Sequence, residues 1–171
     1  MASGRTRLLL ALLALNLCGC AGYRLGPVNG AVAGARSVQI QPFGNHTLEP
    51  RLGDQVTQEV RAELQRDGTY QLATHGDGDI VVTGTVTRYD RSEVTLSSHD
   101  VLVVRDFRLT LTAHVLAKDR ATGKAIFDQP VSGSTVIRVG SDLTSAERQA
   151  LPLLANDLAR NVTSLLAEGK W

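Results

Sequence analysis

The sequence predicts an α+β fold: a two-layer sandwich, with two helices packed on one mostly antiparallel sheet of four to five strands. Two patterns lead there. Residues 79–91, 101–118 and 125–139 alternate apolar and polar side chains with period two, as half-buried strands do. Residues 51–67 and the stretch after Thr144 instead repeat apolar residues at helical spacing. The resulting order, β-α-β-β-β-β-α, puts both helices on one face of the sheet.

In SVQIQPF, residues 37–43, Val38 and Ile40 alternate with polar residues. Pro42 cannot donate to a ladder, so this first strand belongs at an edge or near its own end. Gly44-Asn45-His46-Thr47 turns the chain. From Arg51 to Asp67, Leu52, Val56, Val60 and Leu64 recur four apart along one helix face; Pro50 suits its start and Asp67-Gly68 its end. Tyr70–Ala73 is a short strand. In residues 79–91, Ile80, Val82, Gly84 and Val86 share one face, and Thr83, Thr85, Thr87 and Tyr89 the other.

The strongest strand signal is residues 101–118. Val101, Val103, Phe107, Leu109, Leu111, Ala113 and Val115 share a face interrupted by Arg105, while Asp106, Arg108, Thr110, Thr112 and His114 lie opposite. Asp119–Gly123 turns the chain, and residues 125–139 return as a strand broken around Pro130 and Gly133, completing an antiparallel meander. Thr144-Ser145-Ala146-Glu147 matches a capping box. The helix it opens carries Leu151, Leu154, Leu158, Val162 and Leu165 on one stripe, with Pro152 as a kink or restart.

The N-terminus is of another kind. Met1–Arg7 carries Arg5 and Arg7 and no acid, and Leu8–Leu17 is apolar except for Asn16. That run is too short for a membrane-spanning helix, which needs about 20 residues, and the pattern is that of a signal peptide. Cys18 and Cys20 are the only two cysteines. Their one-residue separation does not suit thioredoxin-like or zinc motifs. Leu17-Cys18-Gly19-Cys20 resembles the lipobox of bacterial lipoproteins, with small Gly19 before an acylated Cys20; an ordinary cleaved signal with an incidental cysteine is the alternative. The expected organisation is a cleaved signal peptide at 1–19, a lipidated N-terminus and glycine-rich tether at 20–36, and a single periplasmic α+β domain at 37–171. The resemblance to Gram-negative lipoproteins, with Ala21 rather than Asp after the acylated cysteine, implies export to the outer membrane.

With 18 basic and 17 acidic residues, the chain has no concentrated positive charge to suit nucleic acid. His46, His75, His99 and His114 show no metal-ligand spacing, and no metal or cofactor is implied. His75–Asp79 has carboxylates like a calcium loop but not the ligand order. Ser98, His99 and Asp100 are catalytic residue types, yet neighbours along an extended chain point apart and cannot converge as a triad. No enzyme is expected.

Several segments together resemble the LPS-assembly lipoprotein LptE family. Cys20–Leu25 is similar to its C-G-Y-x-L opening, with Ala21 inserted. Residues 38–47, VQIQPFGNHT, resemble its first strand and F-x-N-x-T turn; Leu52–Thr57 and Glu63-Leu64 resemble its first helix. Asp79–Val86, DIVVTGTV, resembles its A-D-x-x-L-x-G strand. The resemblance implies a non-enzymatic outer-membrane lipoprotein, the plug and assembly partner of the β-barrel lipopolysaccharide translocon. A lipoprotein activator of a cell-wall synthase, or a secretion-pore component, has a similar layout. Among Arg88, Arg91, Arg105, Arg108 and Arg138, parity selects Arg91 and Arg108 as polar-face residues able to meet a lipopolysaccharide phosphate, with solvated edge charges or internal ion pairs as the alternative.

Overall fold

The computed structural model describes residues 34–94, 105–139 and 142–168. The signal and tether, Cys20, and the Ser98-His99-Asp100 stretch lie outside them. Six strands and two helices follow in the order β1 (Ser37–Ile40), β2 (Gly44–Asn45), α1 (Leu52–Asp67), β3 (Gln71–Leu72), β4 (Ile80–Val94), β5 (Arg105–Asp119), β6 (Ala125–Val139) and α2 (Leu143–Glu168). They form one sheet in the order β3-β1-β4-β5-β6, with β2 also on β4.

The sheet is mixed. β4, β5 and β6 are the expected antiparallel meander, but β1 runs parallel to both β3 and β4, and β2 runs parallel to β4. Sending the chain through α1 before β3 is what allows parallel neighbours, since a helix brings the chain back to its starting end. The sequence reading also missed β2 as a separate strand. Pro42 stands between β1 and β2, where no ladder donor is required.

Helix α1 follows its sequence pattern closely: Leu52, Val56, Val60 and Leu64 are all buried. Arg51 enters it in the left-handed region, at φ 65°. Gly68 ends it at φ 72°, its N–H donating to the Leu64 carbonyl at 3.2 Å, a geometry that costs glycine little.

Helix α2 departs from expectation at three points. Asp142, not Thr144, caps it: the Asp142 carboxylate accepts the Thr144 N–H at 3.0 Å, and it also bonds Ser145. Pro152 lies inside one continuous helix. The buried stripe is Ala150, Leu154, Ala155, Leu158, Ala159, Val162, Thr163 and Leu166, with Leu151 and Leu165 only partly buried beside it. The alanines turn this face inward because small side chains let the helix approach its neighbours closely.

The closest approach is on β6. A Cβ on Gly133 would stand 2.4 Å from the Leu158 nitrogen and 2.7 Å from the Leu154 carbonyl oxygen, so helix backbone rests on strand backbone there. This explains why β6 is continuous where a break was expected. Pro130 is tolerated because it shares parity with Ser132 and Ser134, whose outward main-chain groups face away from β5: Asn161 donates to the Ser132 carbonyl at 2.8 Å, and the Ser134 N–H donates to Asp157 at 2.9 Å. Both helices lie on the same face, and Tyr70 after α1 donates to the Leu166 carbonyl of α2 at 2.8 Å.

Leu158 is fully buried and Leu165 is not. Leu158→Ala is therefore expected to lower unfolding free energy by about 2–5 kcal/mol and Leu165→Ala by clearly less, as measured by equilibrium denaturation.

Candidate functional site

Most residues that carry the motifs meet where β2, α1 and the middle of β4 come together, while Asp79 holds the opposite end of β1. Gly84 lies under the Phe43 ring: a Cβ there would stand 2.1 Å from the nearest ring atom. The Phe43 N–H donates to the Thr57 hydroxyl at 2.8 Å, and that hydroxyl donates to the Gly53 carbonyl at 2.7 Å. Asn45 shapes the following turn, accepting from the Thr47 N–H at 3.0 Å and donating to the Glu49 carbonyl at 2.7 Å. The loop so ordered presents a fully exposed Leu48. Asp79 accepts from the Ser37 N–H at 2.8 Å and the Ser37 hydroxyl at 2.9 Å, which holds its pKa below the ordinary carboxylate value. Motif residues here build a joint between strands and helix.

The calcium-like loop is held by an internal cation. Arg120 donates to the carbonyls of Gly78 at 2.8 Å and Gly76 at 2.6 Å, and also to Gln39. Among the described residues no group of three or more His, Cys, Asp or Glu is arranged to hold a metal.

Arg91 and Arg108 do not share a face. A bulge at Thr87 shifts the β4–β5 register between Val86 and Arg88, and one extra residue exchanges the two faces of a strand from there on. Tyr89 then pairs with Leu111 and Arg91 with Leu109, both core residues, on the helix-covered side. Arg91 donates to Glu147 of α2 at 2.5 Å and its guanidinium lies 5.8 Å from the Phe107 ring centre. The parity placement of Arg91 on the polar face is thus corrected. Glu147, expected to close a capping box, is engaged in this ion pair. Arg108 does lie on the open face, between Ser92 and Val136, with no ion-pair partner among the described residues. Arg138 pairs with Asp106 at 3.0 Å, and Arg88 approaches Asp90 at 3.8 Å. The side chain of Arg105 lies outside the described set.

Two surfaces result. A cavity of about 430 Å³ opens between the starts of α1 and α2, lined by Arg51, Gln55, Tyr89, Glu147, Arg148 and Leu151 among others. The Tyr89 hydroxyl is buried without a hydrogen-bond partner among the described residues, and burial, with Glu147 and Glu49 adding to it, pushes its pKa up to about 12. The phenol therefore stays protonated, a donor rather than a base. The second surface is the sheet face opposite the helices, carrying Thr85, Thr110, Thr112, Ser132, Ser134 and Arg108 on β4, β5 and β6. The bulge could not be seen in the sequence, because the register of β4 is set by its partner strand.

These features define a class: an α+β domain of two helices on one face of a mixed sheet, whose distinctive residues hold the fold together. The chain belongs to the LptE family, described as lipopolysaccharide-assembly, whose model matches residues 35–166. Among solved structures it is similar to the hypothetical protein CT253 from Chlamydia trachomatis, at 12% identity and a TM-score of 0.58, covering 77% of this chain and 95% of that one. It is also similar to protein XCC0632 from Xanthomonas campestris, at 10% identity and a TM-score of 0.57, covering 84% and 92%. At such identities these likenesses concern the fold. Among curated proteins, none matches the chain significantly.

Asp79 gives a pH test. A carboxyl whose folded pKa lies below its ordinary value of 3.8 stabilises the fold above that value, and the contribution is lost as pH falls through the folded pKa. Asp106, Asp119 and Asp142 are held low in the same way, by Arg138, Thr122 and Ser145 respectively. The thermal midpoint should fall below about pH 4, and Asp79→Asn should start lower at neutral pH and fall less steeply on acidification.

Proposed function

We propose that this chain is a lipid-anchored, non-enzymatic lipoprotein of the Gram-negative outer membrane, facing the periplasm, that plugs and helps assemble the β-barrel lipopolysaccharide translocon. The family match over residues 35–166 carries the reading. Support comes from the way the motif residues Phe43, Asn45, Thr57, Asp79 and Gly84 interlock to fix one rigid body. A plug must keep its shape while a barrel closes around it, and this joint ties the first helix to the sheet.

Acylation at Cys20 would supply the anchor, since stable attachment needs more than one membrane signal and a triacylated cysteine provides three chains. No helix among the described residues is long and apolar enough to cross a membrane. For lipopolysaccharide, the phosphate contact proposed from the sequence is best kept for Arg108 on the open face, while Arg91 positions α2 through Glu147.

The test is depletion in the native bacterium. Surface lipopolysaccharide should fall, and the translocon barrel should accumulate in an unfolded, heat-modifiable-negative form. Normal surface lipopolysaccharide with a normally folded barrel would overturn the reading.

A further inference from the structure

Helix α2 is continuous, but Pro152 divides it into two parts that are held very differently. A proline has no N–H, so the Arg148 carbonyl loses the donor it would find four residues on, and the ring disfavours the helical conformation of the residue before it. Beyond the proline the helix is tied to sheet backbone. The main chain of Leu154 and Leu158 lies against Gly133, Asp157 accepts the Ser134 N–H, and Asn161 donates to the Ser132 carbonyl. Leu154, Leu158, Val162 and Leu166 are fully buried.

Before the proline the attachments are few. Of the apolar side chains in residues 143–151, Ala150 is buried, while Leu143, Ala146 and Leu151 are only partly so. Among the described residues one side-chain bond joins this segment to the sheet, from Arg91 of β4 to Glu147 at 2.5 Å. Thr144, Glu147, Arg148, Leu151 and Pro152, spaced as one face of a helix, line the cavity of about 430 Å³ instead of packing. Across it stand the start of α1 and Tyr89, whose hydroxyl is buried without a hydrogen-bond partner among the described residues. A helix shorter than about 12–15 residues is marginal on its own in water, so the order of this segment depends on those few contacts.

We propose that residues 143–151 form a flap over this cavity, hinged at Pro152 and latched shut by the Arg91–Glu147 ion pair. The bulge at Thr87 makes the latch possible, because it carries Arg91 to the helix side. Opening the flap breaks one ion pair and exposes little apolar area. Moving the helix beyond Pro152 would instead strip Gly133, Ser132 and Ser134 of their backbone contacts. Local openings of low free energy are drawn from segments with few buried contacts. An open flap uncovers the Tyr89 phenol, a donor whose pKa is pushed up to about 12 chiefly by burial.

Native-state hydrogen exchange on the purified full chain, read residue by residue by NMR, tests the flap. The amides of residues 147–151, which donate within the helix, should exchange at one common rate, at least roughly tenfold faster than those of 156–166, with a step at the proline. Glu147→Gln should speed exchange in 147–151 at least roughly threefold and leave 156–166 unchanged, and Pro152→Ala, at an exposed position, should slow it. Should Glu147→Gln not fold, the wild type in about 1 M salt, where screening weakens the same pair, replaces it with the same expectation. Access to the cavity is read at Tyr89. With the three tyrosines labelled as 3-fluorotyrosine, a soluble nitroxide should broaden the Tyr89 fluorine resonance more in Glu147→Gln than in the wild type, and that of Tyr70 equally in both. Equal protection on the two sides of Pro152, or a graded rise toward residue 143 with no step, as simple fraying gives, would overturn the hinge. Exchange in 147–151 unaffected by loss or screening of the ion pair would overturn the latch, and equal broadening of Tyr89 would overturn the placement of the flap over the cavity.

Discussion

Phe43 seated on Gly84 is the contact from which the rest of the arrangement can be traced. The ring occupies the space a side chain at position 84 would need, so β1 and β2 can lie against β4 only with glycine there. The same residue's N–H reaches the Thr57 hydroxyl, which satisfies a buried amide and sets the first turns of α1 over the sheet. With α1 placed, the chain returns through β3 beside β1, and Asp79 secures the start of β1 from the far side. A buried amide left without its partner is costly, which makes Thr57 as much part of this joint as the aromatic ring.

The second helix is held by a different principle. The glycine at 133 lets α2 come down on β6 at backbone distance, and the alanines at 150, 155 and 159 lie on its buried face. Its polar side chains then serve as edge protection, as Asp157 and Asn161 do on β6, or as ion-pair partners, as Glu147 does for Arg91. With both helices on one face, no described residue covers the hydroxyl-rich opposite face of β4, β5 and β6.

Much of this was legible in the sequence. The four-residue spacing of Leu52, Val56, Val60 and Leu64 gave α1 its buried face, and the alternation in residues 105–119 gave β5 both faces, because each pattern depends on local geometry alone. The failures have a common cause in long-range geometry. The bulge at Thr87 inverts the remainder of β4 and carries Arg91 to the helix side, a shift decided by pairing with β5. Asp142 rather than Thr144 caps the helix, and Glu147 is engaged by Arg91, a residue far away in sequence. The parallel placement of β1 and β3 follows from the route of the chain through α1. Of the candidate phosphate contacts, Arg108 kept its predicted face and Arg91 did not.

That the motif residues are a structural joint is tested most directly by a double-mutant cycle between Phe43→Ala and Gly84→Ala, read as unfolding free energies. If the ring and a side chain at 84 compete for the same space, Gly84→Ala is strongly destabilising in the wild-type background and much less so once Phe43 is truncated, a coupling well above the roughly 0.5 kcal/mol scatter of independent sites. Additive effects within that scatter would contradict the account.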